Sequence, residues 1–325
     1  MTQQGGGLSV DAAGQLFVDF DSMPTDKFEA LLKSLKMLVP LTANLTLYVD
    51  TNNVSASDTI INNRGTEALP FKTIGGAINF VVNNYALGSY NVTIRVKTGT
   101  YNENVTLPTY STGGGTITIL AHSGNRDVTI NNVNGGTTIT CTGGRWTLRN
   151  LALIMTAANP TSPTIRRVVY ATSSGAILTL YGNSYSNVYP ANFDRNNLYY
   201  EVRMIEASGG TIIWGASTIA HTISAQTITN ASTRVLMASI GGTIMLMALS
   251  QEDLTMQLDT SCSGDCTTFA LCASSSSFVY SGSQLYGPTF TGASMTGKRY
   301  QIESGSNINT NGGGADYFPG DTAGT

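Results

Sequence analysis

Charge is scarce in this chain. Only 11% of its 325 residues are Asp, Glu, Lys or Arg, and the formal net charge is -3. Phosphate recognition needs clustered cations, and the 17 basic residues are scattered, which argues against nucleic acid as a main partner. Long apolar runs are missing as well. No stretch of about 18 apolar residues occurs, so no membrane insertion is expected. The opening, MTQQGGGLSVDAAGQLFVDF, has no basic region followed by an apolar core, so no secretory signal is read there and the product is expected to be made in a cytoplasm.

Cysteine and histidine are equally sparse. Cys141, Cys262, Cys266 and Cys272 do not match the usual zinc spacings, and no histidine lies beside CSGDC. Buried or free thiols are the expectation, with a disulfide or metal site as the alternative. His122 and His221 lie far apart and have no Cys or acidic partner at motif spacing. Neither a metal nor a cofactor is expected, and phosphate loops, nucleophile elbows and dinucleotide-binding glycines are absent.

What the chain has is a recurring corner. EASGGTIIWG, residues 206–215, combines a polar start, a small-residue turn, a β-branched pair and an aromatic. Weaker versions follow one another along the sequence. Taking the apolar residue just after each turn gives Ile117, Trp146, Ile177, Ile212, Ile244, Phe278 and Ile308, at spacings of 29, 31, 35, 32, 34 and 30 residues. Near-equal periods signal a repeat architecture, in which each unit leaves its apolar face open until a neighbour stacks on it. Runs such as 168–171, 202–205 and 236–238 before the corners, and IIW, IMLM and FVY after them, are short, bounded by turn residues and rich in Val, Ile and aromatics, so the units are strands. No amphipathic helix of ten or more residues fits between the corners, as a helical repeat would require. The fold class is therefore all-β: a right-handed parallel β-helix. The alternative is a β-sandwich whose turns happen to fall at this spacing.

Two helices are predicted outside the repeats. In SMPTDKFEALLKSLKMLVPL, Thr25 caps, Asp26 and Glu29 sit at the positive end and Pro40 stops the helix. Phe28, Leu31, Leu35 and Leu38 form a two-heptad seam, which suits a neck helix in a bundle or a helix packed on the end of the repeat body. The second, over ALPFKTIGGAINFVVNNY, places Phe71, Ile74, Ala77, Ile78, Val81 and Val82 on one face, in position to cover the open first coil. The organisation reads as 1–45, docking and neck; 46–112, lead-in with capping helix; 113–310, β-helix coils; and 311–325, a Gly-rich tail stable only against neighbouring chains.

PFKTIGGAI followed by VTIRVKTGTYNENVTL, over Pro70 to Leu107, resembles the opening of pectin-lyase-like β-helix proteins. GGGADYFPGDTAGT, with Tyr317, Phe318, Pro319 and Gly320, resembles the endings of bacteriophage fibre and tail-spike proteins, and VDFDSMPTDKFEALLKSL resembles their front. These resemblances imply a homotrimeric virion protein, made in the bacterial host cytoplasm, that docks on other virion proteins through its N-terminal segment and contacts the host surface.

Candidate sites are few. Glu201 and Arg203 share strand parity and could meet a sugar or form a surface ion pair. Glu252 and Asp253, with Asp259, could line a cation-binding loop or be solvated charge. Tyr181, Tyr185, Tyr189, Tyr199 and Tyr200, with Asn183, Asn187, Asn192, Asn196 and Asn197, have the makings of a carbohydrate platform or of a trimer contact. Three functions follow: an adhesion fibre or spike binding a host glycan without catalysis, a polysaccharide depolymerase with Glu201, Arg203, Glu252 and Asp253 in play, or a purely architectural collar or head fibre.

Overall fold

The computed structural model describes residues 38–60, 63–110, 113–133, 136–156, 165–188, 201–215, 221–224, 232–247, 255–258, 265–281, 289–292, 296–310 and 316–325, and the strand backbones at 8–10 and 16–18. Of 187–188, 201, 224, 232–233, 247, 255–258, 265–267, 280–281, 289–292 and 296 only the backbone is described.

Three parallel faces run the length of the molecule. The first face stacks nine strands, from Leu45–Val49 and Val92–Val96 at one end to Ser277–Ser281 and Asn307–Asn309 at the other. The second face stacks seven, from Gly99–Tyr101 to Thr289–Gly292, and the third stacks seven, from Val105–Leu107 to Thr296–Ile302. The chain visits first, second and third face in turn and then steps up one rung, which makes a right-handed parallel β-helix.

The alternating burial of the strands comes from this stacking. Val92–Val96, Ile117–Ala121 and Val128–Asn132 each bury every second residue, because alternate side chains point into the coil. Along the first face the inward row is Leu45, Val92, Ile117, Trp146, Leu178, Ile212, Ile244, Phe278 and Ile308. Six of the seven corner markers lie on it. Ile177 does not: it pairs with Arg145 on the outer side, and Leu178 holds the inward place. A second inward row, two residues on, is Leu47, Ile94, Ile119, Leu148, Leu180, Trp214 and Leu246. Fully burying one such side chain contributes about 1.5–3 kcal/mol.

The Gly-Gly corners turn the chain from the third face back to the first. Gly241 takes a φ of 72°, and a Cβ on Gly242 would lie 2.1 Å from the Ala207 carbonyl oxygen of the coil beneath. One glycine supplies the left-handed backbone, and the next lets two coils approach. Gly209, Gly241 and Ser275 each donate a backbone N–H to the corner one rung above, at Ser239, Ser274 and Ser304.

Both ends of the stack are covered. Helix α1, Ile74–Asn84, buries Ile74, Ala77, Ile78 and Val81, and Thr73 caps it by accepting from the Gly76 N–H. Glu103 from the first coil accepts from the N–H groups of Ile74 and Gly75, both at 2.9 Å. Asp58 accepts from Lys72 N, Thr73 N and the Thr73 hydroxyl. The Pro-Phe-x-Thr-Ile and Gly-Thr-Tyr-x-Glu segments are thus two halves of one contact, a carboxylate held at a helix N-terminus.

At the other end the structure departs from expectation. Phe318 is 2% exposed and packs on Phe269 and Phe278, while Arg299 pairs with Asp316 and the Thr325 N–H donates to the Tyr300 carbonyl. Residues 316–325 therefore pack on their own chain and cover the last coil. The coil register also runs unbroken across residue 113, since Val92–Val96 pairs directly with Ile117–Ala121. Of the 1–45 segment, Leu8–Val10 and Leu16–Val18 form an antiparallel pair, and Leu38 is half-buried beside the strand Val39–Pro40. Phe28, Leu31 and Leu35 of the neck seam lie outside the described residues.

The swap at Ile177 gives a direct check on register. Leu178→Ala should lower unfolding free energy by about 2–5 kcal/mol, whereas Ile177→Thr should stay within about 0.5 kcal/mol of the parent. Urea unfolding of the two variants side by side reads the difference, and equal losses would contradict the assigned register.

Candidate functional site

Several residues with binding-site chemistry turn out to be interior. Tyr185 is fully buried, stacked at 8° on His221 and edge-on to Trp214. Asn183 is fully buried too: its amide oxygen accepts from Leu151 N at 2.9 Å, and its amide nitrogen donates to the Leu148 carbonyl at 3.0 Å. Both hold adjacent coils together and neither can meet a sugar. Tyr189, Tyr199, Tyr200, Glu252 and Asp253 lie outside the described residues, and of Glu201 only the backbone is described.

His221 sits at the centre of the interior polar cluster. The Trp214 indole donates to its Nδ1 at 2.8 Å, and Tyr185 Oη lies 3.2 Å from the same nitrogen. The shorter indole bond makes Nδ1 the acceptor and leaves the proton on Nε2, which faces the Gly215 carbonyl at 3.1 Å with the Gly182 N–H beside it at 3.3 Å. A second proton, on Nδ1, would point at an indole N–H. Burial, with Arg126 nearby, adds to this and lowers the pKa to about 3. Arg126 donates to Thr222. His221 is a structural, neutral imidazole.

The charged cluster of the third face has an unexpected geometry. Arg203 pairs with Glu206, three residues on, and Arg167 of the coil beneath pairs with the same carboxylate. Strict alternation would put residues 203 and 206 on opposite sides of the sheet. Here the alternation breaks, because Met204 and Ile205 are both buried, and so are Val168 and Val169 in the coil beneath. The strand bends at that point in each coil, which brings the arginine and the carboxylate to one side. Glu206 is 1% exposed, accepts from the Ser239 hydroxyl at 3.2 Å, and sits beside an Arg167 guanidinium stacked 4.1 Å above Tyr170. A carboxylate locked between two guanidiniums is poorly placed to pass a proton.

The remaining carboxylates with described side chains are likewise engaged. Asp58 and Glu103 hold helix α1, Asp50 accepts from Asn52 N, and Glu67 pairs with Lys97. Asp127 accepts from Thr98 and Ser123, Glu303 from Gln301, Asp316 from Arg299 and Asp321 from Gly297 N. No group of three or more His, Cys, Asp or Glu able to hold a metal occurs among the described residues. Cys141 and Cys272 are free, buried thiols, and burial pushes the Cys141 thiol up to about 12. A cleft of about 450 Å³ beside helix α1 is lined by Leu45, Leu47, Ile60, Phe80 and Arg64. The Arg64 guanidinium there already donates to the carbonyls of Thr59, Ser55 and Pro70.

The outer side of the first face is different in kind. One register row is Thr46, Thr93, Thr118, Thr147 and Thr179; the next is Tyr48, Arg95, Leu120, Arg149, Tyr181 and Gly215. None of these residues is acidic. Tyr181 lies across Gly215, where an added Cβ would be 2.1 Å from its ring, and Arg149 sits 5.9 Å from the ring centroid. At the corner, Lys97 Nζ is 3.2 Å from His122 Nε2 and pairs with Glu67. Lys97 first, then more distantly His122 and Arg95, holds the Glu67 carboxyl below its ordinary range. Hydroxyls in register beside a flat ring form a surface on which a sugar can lie, a pattern hidden in the sequence because its members are about thirty residues apart.

No protein family matches the sequence, and no curated protein does. Among solved structures, the Escherichia coli protein YbhC is similar over 89% of this chain and 79% of its own, at 13% identity and a TM-score of 0.43. The pectin methylesterase of Aspergillus niger is similar in two forms. The deglycosylated form gives 12% identity over 88% of this chain and 91% of its own, with a TM-score of 0.36; the penultimately deglycosylated form gives 11%, 88%, 92% and 0.34.

Two outcomes check the assignments. Glu206→Gln leaves Arg167 and Arg203 facing each other without a counter-charge and should cost about 3 kcal/mol in chemical unfolding; no loss would mean the pair is solvated. For His221 the folded pKa of about 3 lies below the unfolded value of about 6.5. Its stabilising effect is complete above pH 6.5 and is lost as pH falls towards 3, at up to about 1.4 kcal/mol per pH unit. Between pH 6.5 and 4.5, His221→Phe should flatten the stability profile by up to that slope, even though it lowers stability at pH 7.

Proposed function

We propose that this chain is a bacteriophage virion fibre or spike subunit that binds a host-surface glycan without cutting it. Three copies form a trimer, residues 1–45 dock it to other virion proteins, and the β-helix stands as a rigid rod. The N- and C-terminal sequence resemblances support the virion setting. The observation that supports the non-catalytic reading is that each carboxylate whose side chain is described is engaged by a hydrogen bond or an ion pair within the chain. Glycoside hydrolysis by an acid and base needs two carboxyl groups free to exchange protons across a substrate groove, and Asp58 and Glu103, which lie near each other, are both occupied with the N-terminus of helix α1. Binding through hydroxyls and aromatic rings is individually weak, and several copies on one particle raise it by avidity.

Incubating the purified protein with host cell envelopes separates the possibilities. Retention on the envelopes without new reducing or unsaturated sugar ends is expected, together with a trimer mass by light scattering. Release of sugar ends would replace this reading with a depolymerase, and neither retention nor release would point to an architectural part.

A further inference from the structure

Four cations stand on the outer first face: Arg95 and Lys97 on one strand and its corner, and Arg145 and Arg149 on a strand two rungs above. Lys97 is neutralised by Glu67. Arg95, Arg145 and Arg149 make no side-chain hydrogen bond or ion pair among the described residues, and Arg145 and Arg149 are exposed. On the third face the position is reversed, since Arg167 and Arg203 share Glu206. A protein with few charges and a net negative balance thus keeps three arginines on one flat surface without an ion-pair partner among the described residues, the nearest carboxylate being Glu67, which Lys97 already pairs.

We propose that this surface binds an anionic polysaccharide laid along the stack, with acidic sugars at Arg95 and Arg149 and an uncharged sugar between them; the inference rests on the glycan-adhesion reading and names its ligand class. Arg95, Leu120 and Arg149 occupy one register row, so the two guanidiniums rise from backbone positions about 10 Å apart, two rungs of about 4.8 Å. That is roughly the reach of a disaccharide. Leu120 offers an apolar patch to the C–H face of the middle sugar, and Thr118 and Thr147 in the adjoining row offer hydroxyls to its edge. One rung further, the flat Tyr181 ring stacked near Arg149 extends the platform. Guanidinium groups are well suited to carboxylate or sulfate, which they bind bidentately. DNA fits poorly. A strand carries one charge about every 3.4 Å, and a row offering one cation per 10 Å leaves most phosphates unmet.

The test uses the whole protein and a hyaluronan oligosaccharide, which bears a carboxylate on every second sugar, with neutral dextran and single-stranded DNA as competitors. Arg95→Gln/Arg149→Gln should weaken hyaluronan binding about 100-fold, tenfold for each guanidinium–carboxylate pair removed. Lys298→Gln, a cation on the third face, should leave it unchanged. Unaltered melting of the variants confirms that the fold is intact. Tyr181→Ala should weaken binding without altering its salt dependence. Equal binding by parent and double variant, no binding by the parent, or competition by dextran or DNA as strong as by hyaluronan itself would overturn the inference. Envelope retention that survives in the double variant would sink it while leaving the adhesion reading in place. Hyaluronan binding that disappears in the double variant, alongside no envelope retention by the parent, would do the opposite.

Discussion

The structure depends on parallel register. Along the first face every rung pairs residue for residue with the rungs above and below, so each inward position of one coil rests on the same position of the next. An error of one residue would turn a buried row to solvent along the whole strand. Close packing within the rows, as at Trp146 over Ile117 or Trp214 over Leu180, and the hydrogen bonds of the corners hold that register. Terminal coils have only one neighbour, which is why both ends are covered, by helix α1 at one and by Phe318 at the other.

Much of this was legible in the sequence, because a solenoid writes its period directly into the chain. The corner motif located the first face in seven of its nine rungs, and the short apolar runs beside it identified strands. The period could not fix parity, however. Ile177 and Leu178 are both apolar and both follow a small-residue corner, so only the pairing with Arg145 and Trp146 tells which one points inward. The helix over 74–84 was plain from its apolar face. Its carboxylate partner was not, since Glu103 lies far along the chain and reaches the helix only once the first coil has closed.

Sites were harder to read, for the same physical reason. Tyr185 and Asn183 have the chemistry of a sugar platform, and the interior of a β-helix uses that chemistry for itself. Buried tyrosine and asparagine must find partners, and here they find them in His221, Trp214 and the backbone of the adjacent coil. Glu206 stood in the sequence as the polar start of the corner motif, and the bend at Met204 and Ile205 that aims it at Arg203 leaves no local signature. The row of threonines and the Arg95, Arg149 and Tyr181 row are assembled only by stacking.

The tight corner from the third face to the first also bears on how such a chain can change length. The strand ending at Ser208 is followed by one starting at Thr211, and the strand ending at Cys141 by one starting at Gly144. One residue inserted between Ser208 and Thr211 would turn Trp214 outward and send Ile213 into the core. From the second face to the third the sequence distance differs from coil to coil, running from Tyr101 to Val105 in one and from Thr156 to Ile165 in another, with no effect on the rows above or below. From Cys141 onward the edge between the third and first faces therefore keeps only two to four residues between strands, while the edge between the second and third faces is free to lengthen. A lineage built on this scaffold can acquire new surface at that second edge, one coil at a time, while the interior is copied unchanged.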